Sequence, residues 1–322
     1  MARMRRTGMP GVMYGPGRIW AIAGLIAFVV ADAILVAWAV TSVSAAPKSP
    51  KDPPAVAATH PATETPTATA TKTQAPLPAA VAPTRMLAAL DDQVAWRAAT
   101  GPCPATPAGL ELTTNGGATW RAADAGSLSG ASSVLRITVA SSTQAAAITL
   151  DKQNCAVQYI RTYIAGANWA TYNDQLAGSW YLDPSSPTTV HSPQGNVAAP
   201  CPTMVGLAVR DASSAAVLCA DHTVYRTSNA GAAWGTPLTV PGAVAVTASG
   251  NGYATAATGI EGCAGVSVSS LDAGTGAATT SRCFATAAPQ PGAVAMASGD
   301  NTLWLWAGDA LVRSGDGGAT WH

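Results

Sequence analysis

The sequence predicts an all-β protein, a small β-propeller of about five blades, held outside a membrane by one transmembrane helix and a disordered stalk. Three observations predict it. An eight-residue phrase recurs at intervals close to one propeller blade; its flanks alternate short small-residue strands with polar turns; and a long apolar run near the N-terminus precedes a Pro/Ala/Thr-rich tract.

Residues 1–18 read as a basic cytoplasmic segment, because Arg3, Arg5, Arg6 and Arg18 have no acid among them. Residues 19–41 read as the transmembrane helix. The 22 residues from Ile19 to Val40 would rise roughly 33 Å as a helix, about one hydrocarbon core. Trp20 and Trp38 stand near its two ends, where indole favours the interface, and the flanking arginines place the N-terminus inside. A cleaved signal peptide is the alternative, with Val43, Ser44 and Ala45 as a small-residue cleavage site; the length of the run favours an uncleaved anchor. Asp32 interrupts the run and reads as a tolerated, protonated or snorkelling group rather than a proton path.

Residues 42–84 read as a disordered linker. Pro, Ala and Thr dominate from Ala45 to Pro83 without apolar periodicity. Extended as polyproline, such a stalk could reach ~120 Å.

Residues 85–322 are long enough to bury one sizeable core. Phe284 is the sole phenylalanine there, and Ala, Gly, Ser, Thr and Val suit short strands and tight turns. Residues 1–84 hold seven basic and three acidic groups, and residues 85–322 hold ten and fourteen. A mildly acidic domain with no basic run has no electrostatic footprint for nucleic acid.

The recurring phrase reads Ser/Thr, any, Asp/Asn, any, Gly, any, Ser/Thr, Trp. Full copies are Thr113, Asn115, Gly117, Thr119 and Trp120, and Ser314, Asp316, Gly318, Thr320 and Trp321. A third copy keeps Thr227, Asn229, Gly231 and Trp234 but has Ala233 at the seventh place. Two are worn: Thr162, Gly166 and Trp169 in one, Ser270, Asp272 and Gly274 in the other. The starts lie 49, 65, 43 and 44 residues apart, and a period in the forties points to four-stranded propeller blades.

With these copies the chain resembles the Asp-box, or BNR-repeat, propellers, a family that includes sialidases, sortilin-type receptors and photosystem II assembly factors. The resemblance covers residues 85–322. It implies that each box is the turn between a blade's third and fourth strands, its acid or amide and hydroxyl bonding backbone amides and its Trp packing between sheets. It specifies fold far more than function. The boxes are therefore expected to be structural, not a sugar or calcium site.

Six cysteines, Cys103, Cys155, Cys201, Cys219, Cys263 and Cys283, all fall in this domain, as expected where disulfides form. Six allow fifteen connectivities. Short loops favour Cys201 with Cys219 and Cys263 with Cys283, leaving Cys103 with Cys155 across the first two blades. No CxxC argues for a redox role.

Chemistry is sparse. By resemblance a sialidase needs an arginine cluster, a Tyr/Glu nucleophile pair and an acid; the domain has only Glu111 and Glu261 and no Arg-Ile-Pro tripeptide, though Arg136, Arg161 and Arg210 could converge. His60, His191, His222 and His322 are scattered, and only His222 has ligand types nearby, Cys219 and Asp221, so neither metal nor cofactor is expected. No phosphate loop or nucleophile elbow occurs.

The long second interval is the asymmetric feature. Ser179 to Gly195 carries Trp180, Tyr181 and His191, which could anchor a partner as loop aromatics on a rigid scaffold or belong to a loose insert. The chain also stops one residue after the last box tryptophan. Either the fifth blade has three strands, or the proline-rich residues just before Arg85 pair at its edge beside Ala310 to Ser314. The expected function is binding of a protein partner or an envelope glycan, with an envelope glycoside hydrolase working at the propeller mouth as the alternative.

Overall fold

A computed structural model describes residues 76–322 apart from 273, 276, 277 and 280. The basic segment, the expected membrane helix and most of the expected stalk lie outside the described residues. Among those described, no helix is long and apolar enough to cross a membrane.

The domain is a five-bladed β-propeller. Blade one contains β1 (Arg85–Ala89), β2 (Ala95–Ala99), β3 (Gly109–Thr113) and β4 (Arg121–Asp124), followed by a short helix, α1 (Ala125–Ser129). Blade two contains β5 (Ala131–Val139), β6 (Ala145–Asp151), β7 (Val157–Thr162) and β8 (Ala170–Thr171). The insert then supplies a 3₁₀ turn at Asn173–Gly178 and the hairpin β9 (Thr189–Ser192) and β10 (Gly195–Ala198). Blade three contains β11 (Met204–Val209), β12 (Ala215–Cys219), β13 (Thr223–Thr227) and β14 (Leu238–Thr239). Blade four contains β15 (Ala243–Ser249), β16 (Gly252–Thr258), β17 (Gly265–Leu271) and β18 (Arg282–Ala285). Blade five has only β19 (Val294–Gly299), β20 (Thr302–Ala307) and β21 (Ala310–Ser314).

Every blade is an antiparallel meander whose strand order follows the chain, so each first strand is innermost. These inner strands pack side by side, β1 against β5 and β19, and β15 against β11 and β19. Their small side chains permit that approach; β15 reads AVAVTAS and β19 VAMASG. Cores between blades are filled by the larger residues of second and third strands, such as Trp96, Leu110 and Ile160 between blades one and two. Burying side chains of this kind contributes ~1.5–3 kcal/mol apiece.

Meander geometry gives the ring two different ends. One carries the turns between first and second strands and all the boxes. In four boxes the leading hydroxyl accepts from the glycine N–H four residues on: Thr113 from Gly117 (2.9 Å), Thr162 from Gly166 (2.9 Å), Thr227 from Gly231 (3.0 Å) and Ser314 from Gly318 (2.7 Å). The third residue caps the turn, as Asn115 Oδ1 does for Thr119 N and Asp316 Oδ1 for Thr320 N. Those four glycines have φ between 81° and 91°, where a Cβ is strained. The box expectation needs correcting at the worn copy in blade four. There Gly274 N donates to Asp272 Oδ1, as do Thr275 N and Oγ1, so the acid gathers the turn's amides, while the backbone of Ser270 bonds Thr279.

Each box seats against the preceding sheet. Trp169 meets Trp96 edge-on with centroids 5.6 Å apart, Trp321 lies 5.7 Å from Phe284, and Trp120 packs with Trp304 and Leu311.

The opposite end carries the disulfides, Cys103–Cys155, Cys201–Cys219 and Cys263–Cys283, with the pairing expected from loop length. It also carries the entering chain. Ala80 N donates to Ala220 O, a His222 ring nitrogen lies 3.0 Å from Pro78 O, and Thr84 N donates to Gly292 O before β1 begins.

Of the two expected ways to close the ring, the three-stranded fifth blade is observed. Residues 76–84 do not lie beside β21; they cross blades three to five, where buried Ala80 joins the core. Past the last box, His322 and Arg313 exchange both backbone hydrogen bonds at the outer edge of β21.

Candidate functional site

The insert is not a loose loop. Tyr181 and His191 exchange backbone hydrogen bonds, and β9 pairs with β10, so Tyr181, β9 and β10 make a small antiparallel sheet. This sheet occupies a blade position. Gly231, in the box of blade three, faces Val197 of β10, just as Gly166 faces blade one and Gly318 faces blade four. Trp234 Nε1 donates to Ala198 O. Trp180 repeats the role of Trp304: Trp304 Nε1 donates to Asp91 O at the first turn of blade one, and Trp180 Nε1 to Asp211 O at the first turn of blade three. Trp304 lies on its blade's second strand, so the small sheet supplies the second, third and fourth strands of a truncated blade. Its inner strand is missing, and no packing like that of the other inner strands joins β5 to β11.

A cleft of about 240 Å³ lies at this seam. Blade two contributes Arg136, Thr138, Ala146, Ile148 and Tyr159, the insert Gly178 to Trp180, and blade three Val209, Asp211 and Ala212. Cross-strand register explains the first group: Arg136, Ile148 and Tyr159 form one row across β5, β6 and β7, and Thr138, Ala146 and Arg161 the next. Side chains in such rows share one face of the sheet. That face looks toward the truncated blade, and the other packs on blade one.

Arg136 Nη1 donates to Trp180 O at 3.2 Å, the inner edge of the truncated blade. The side chain thus takes the place of a missing strand's N–H. Burial pulls its pKa down to about 10, and no carboxylate pairs with it among the described residues; the ion pair found there, Arg97–Glu111 at 2.7 Å, is in blade one. Burial also raises the Tyr159 hydroxyl. At the rim, the hydroxyl and amide of Ser213, with Ser214, hold the Asp211 carboxylate down at about 2.

The expected binding aromatics fare unequally. Trp180 is 2% exposed and Tyr181 8%, so both are packing residues rather than projecting anchors, although Trp180 still lines the cleft. His191 stacks on Tyr181 at 4.3 Å and its Nδ1 lies 2.8 Å from Ser179 O. The three arginines do not converge: Arg161 bonds Gln144 and covers the Tyr163 ring, Arg210 lies over Tyr253, and Arg136 alone enters the cleft. Glu111 pairs with Arg97 across β2 and β3. The inner strands contribute Arg85 and Arg136 and no Asp or Glu. Cys219 is in a disulfide and both His222 ring nitrogens face carbonyl oxygens, those of Ala243 and Pro78. No cluster of three metal-ligating side chains occurs among the described residues.

Sequence reading missed Tyr159 and Asp211 and weighed Arg136 only as one of a cluster. A signal did exist in the interval, whose surplus of about twenty residues over one blade period is half a blade.

No protein-family model matches the chain, and no curated protein matches it. Among solved structures it is similar to YCF48 from Cyanidioschyzon merolae, at 14% identity and a TM-score of 0.38, over 77% of this chain and 86% of that one. It is also similar to the Aleuria aurantia lectin in complex with Fucα1-6GlcNAc, at 12% identity and a TM-score of 0.47, over 76% of this chain and 96% of that one. A third is PorZ, a surface component of the type-IX secretion system of Porphyromonas gingivalis, at 10% identity and a TM-score of 0.36, over 74% of this chain and 38% of that one.

Proposed function

We propose that this chain is a membrane-anchored, extracytoplasmic binding module: an Asp-box propeller held by a helix at residues 19–41 and a stalk at 42–84, which takes a protein partner or a cell-envelope glycan at the seam between blades two and three. The observation that carries the reading is the truncated blade. It leaves a cleft at this seam, lined by a partly buried arginine, and concave sites with a few convergent polar groups are where ligands bind. A hydrolase would need an acid and a base at the mouth, and the inner strands supply neither.

Photocrosslinking in producing cells tests the seam. A benzophenone side chain at Ala212, on the rim, is expected to capture a partner that the same group at Asp309, at the disulfide end, does not, and a glycan array probed with the intact chain covers sugar ligands. Equal capture from both ends, with a blank array, would remove the seam as the site.

A further inference from the structure

We infer that the cleft is a receptor for an acidic sugar, gripped by its carboxylate through Arg136 and the Tyr159 hydroxyl. This rests on the binding reading above and names the ligand's chemistry.

Three observations converge. First, Arg136 is partly buried in the cleft, one of its N–H groups donates to Trp180 O, and no carboxylate pairs with it among the described residues. Its planar fork matches a carboxylate. Second, the charge balance selects a monoanion. Arg136 and the Asp211 carboxylate at the rim cancel in the empty cleft, so a bound carboxylate leaves one negative charge there and a dianion such as phosphate leaves two, which disfavours the dianion more. Third, a pair of tyrosines stands beside the end of β7, outside the lining of the cleft. Tyr159 and Arg161 share a face of β7, and beyond its end Tyr163 is 47% exposed under the Arg161 guanidinium, with Tyr172 edge-on at 6.2 Å. Exposed tyrosine rings held in place offer flat apolar surface to a sugar ring. A volume of about 240 Å³ is below that of pockets for drug-sized ligands, ~300–1,000 Å³, and suits a single sugar unit.

The test is titration of the full-length chain, with ¹⁵N-labelled tryptophan, against D-glucuronate, D-glucose and inorganic phosphate, following the Trp180 indole resonance at the cleft wall. Glucuronate is expected to shift it saturably, and glucose and phosphate to leave it in place. Arg136→Met should weaken glucuronate at least ~10-fold. Because that change also frees Trp180 O, its melting temperature is measured alongside, and Tyr159→Phe, which breaks no hydrogen bond in the free protein, should weaken it ~3-fold or more. Tyr163→Ala should weaken glucuronate without admitting phosphate. Binding that is absent, matched by phosphate, or unchanged in both Tyr159→Phe and a folded Arg136→Met overturns the carboxylate site and assigns Arg136 to holding the truncated blade. Crosslinking from Ala212 would still stand in that case, so the two readings fail separately.

Discussion

Two seams of this ring use the same outer hardware and differ inside. Between blades five and one, Trp304 donates to the Asp91 carbonyl, Arg313 reaches the Asp92 carbonyl, and β1 packs directly on β19. Between the truncated blade and blade three, Trp180 donates to the Asp211 carbonyl and Val197 fills the space over Gly231, but no inner strand stands there. The contrast shows which contacts a propeller needs to stay closed. A wedge tryptophan, a box glycine and an aspartate turn hold two neighbours in register without the inner strand, and its omission opens a cleft without breaking the ring.

Four changes probe that contrast. Trp304→Ala should cost ~5 kcal/mol in urea denaturation and Trp180→Ala ~3, because both empty a buried site but the cavity at the open seam is adjacent to solvent and can relax. Equal costs would mean the truncated blade carries as much of the closure as a complete one. Next, the Cys103→Ser/Cys155→Ser pair should cost ~4 kcal/mol and Cys201→Ser/Cys219→Ser ~3, following loop length, with separations of 52 and 18 residues. If the second pair also detaches the insert, limited proteolysis will cut near Pro187 before the blades melt.

A smaller effect is expected from Gly231→Ala, ~2 kcal/mol, since φ is 84° and the new Cβ would fall 2.6 Å from Val197. Adding Val197→Ala should recover part of that loss by relieving the clash; no recovery would dissociate the insert from the box. Smallest is Asp316→Asn. Thr320 and Ser314 hold this carboxylate below its ordinary range, so its contribution is complete above the unfolded value of ~3.9 and is lost as pH falls through the folded one. Asparagine already fills the position in the boxes at Asn115 and Asn229. Melting at pH 7 should therefore hardly change, and the variant should lose one part of the acid dependence; an unaltered acid limb would contradict the hydrogen bonds assigned to Asp316.

Where structure is built from local bonds, the sequence was legible. The box joins residues four apart, so blade positions and turns could be read directly, and short loops pointed to the disulfides. Trp180 illustrates the opposite case. The stretch it opens, Ser179 to Gly195, is rich in serine, proline and polar residues, which read as a loop, and its burial depends on Asp211, Val190 and Val217 from beyond that local segment. Arg136 was obscured differently: the pairing of β5 with β6 shifts register twice between Ser132 and Arg136, so the alternation that assigns faces cannot be counted across it.

The strap at residues 76–84 has a mechanical side. The chain enters at the disulfide end and is tied to blade three at Ala220 and His222, then to blade five at Gly292, before it becomes the innermost strand of blade one. A pull applied upstream of Leu77 therefore loads blades three and five, at the disulfide end, before it reaches β1. The strap works as a strain relief, so that tension does not unzip the propeller from its centre.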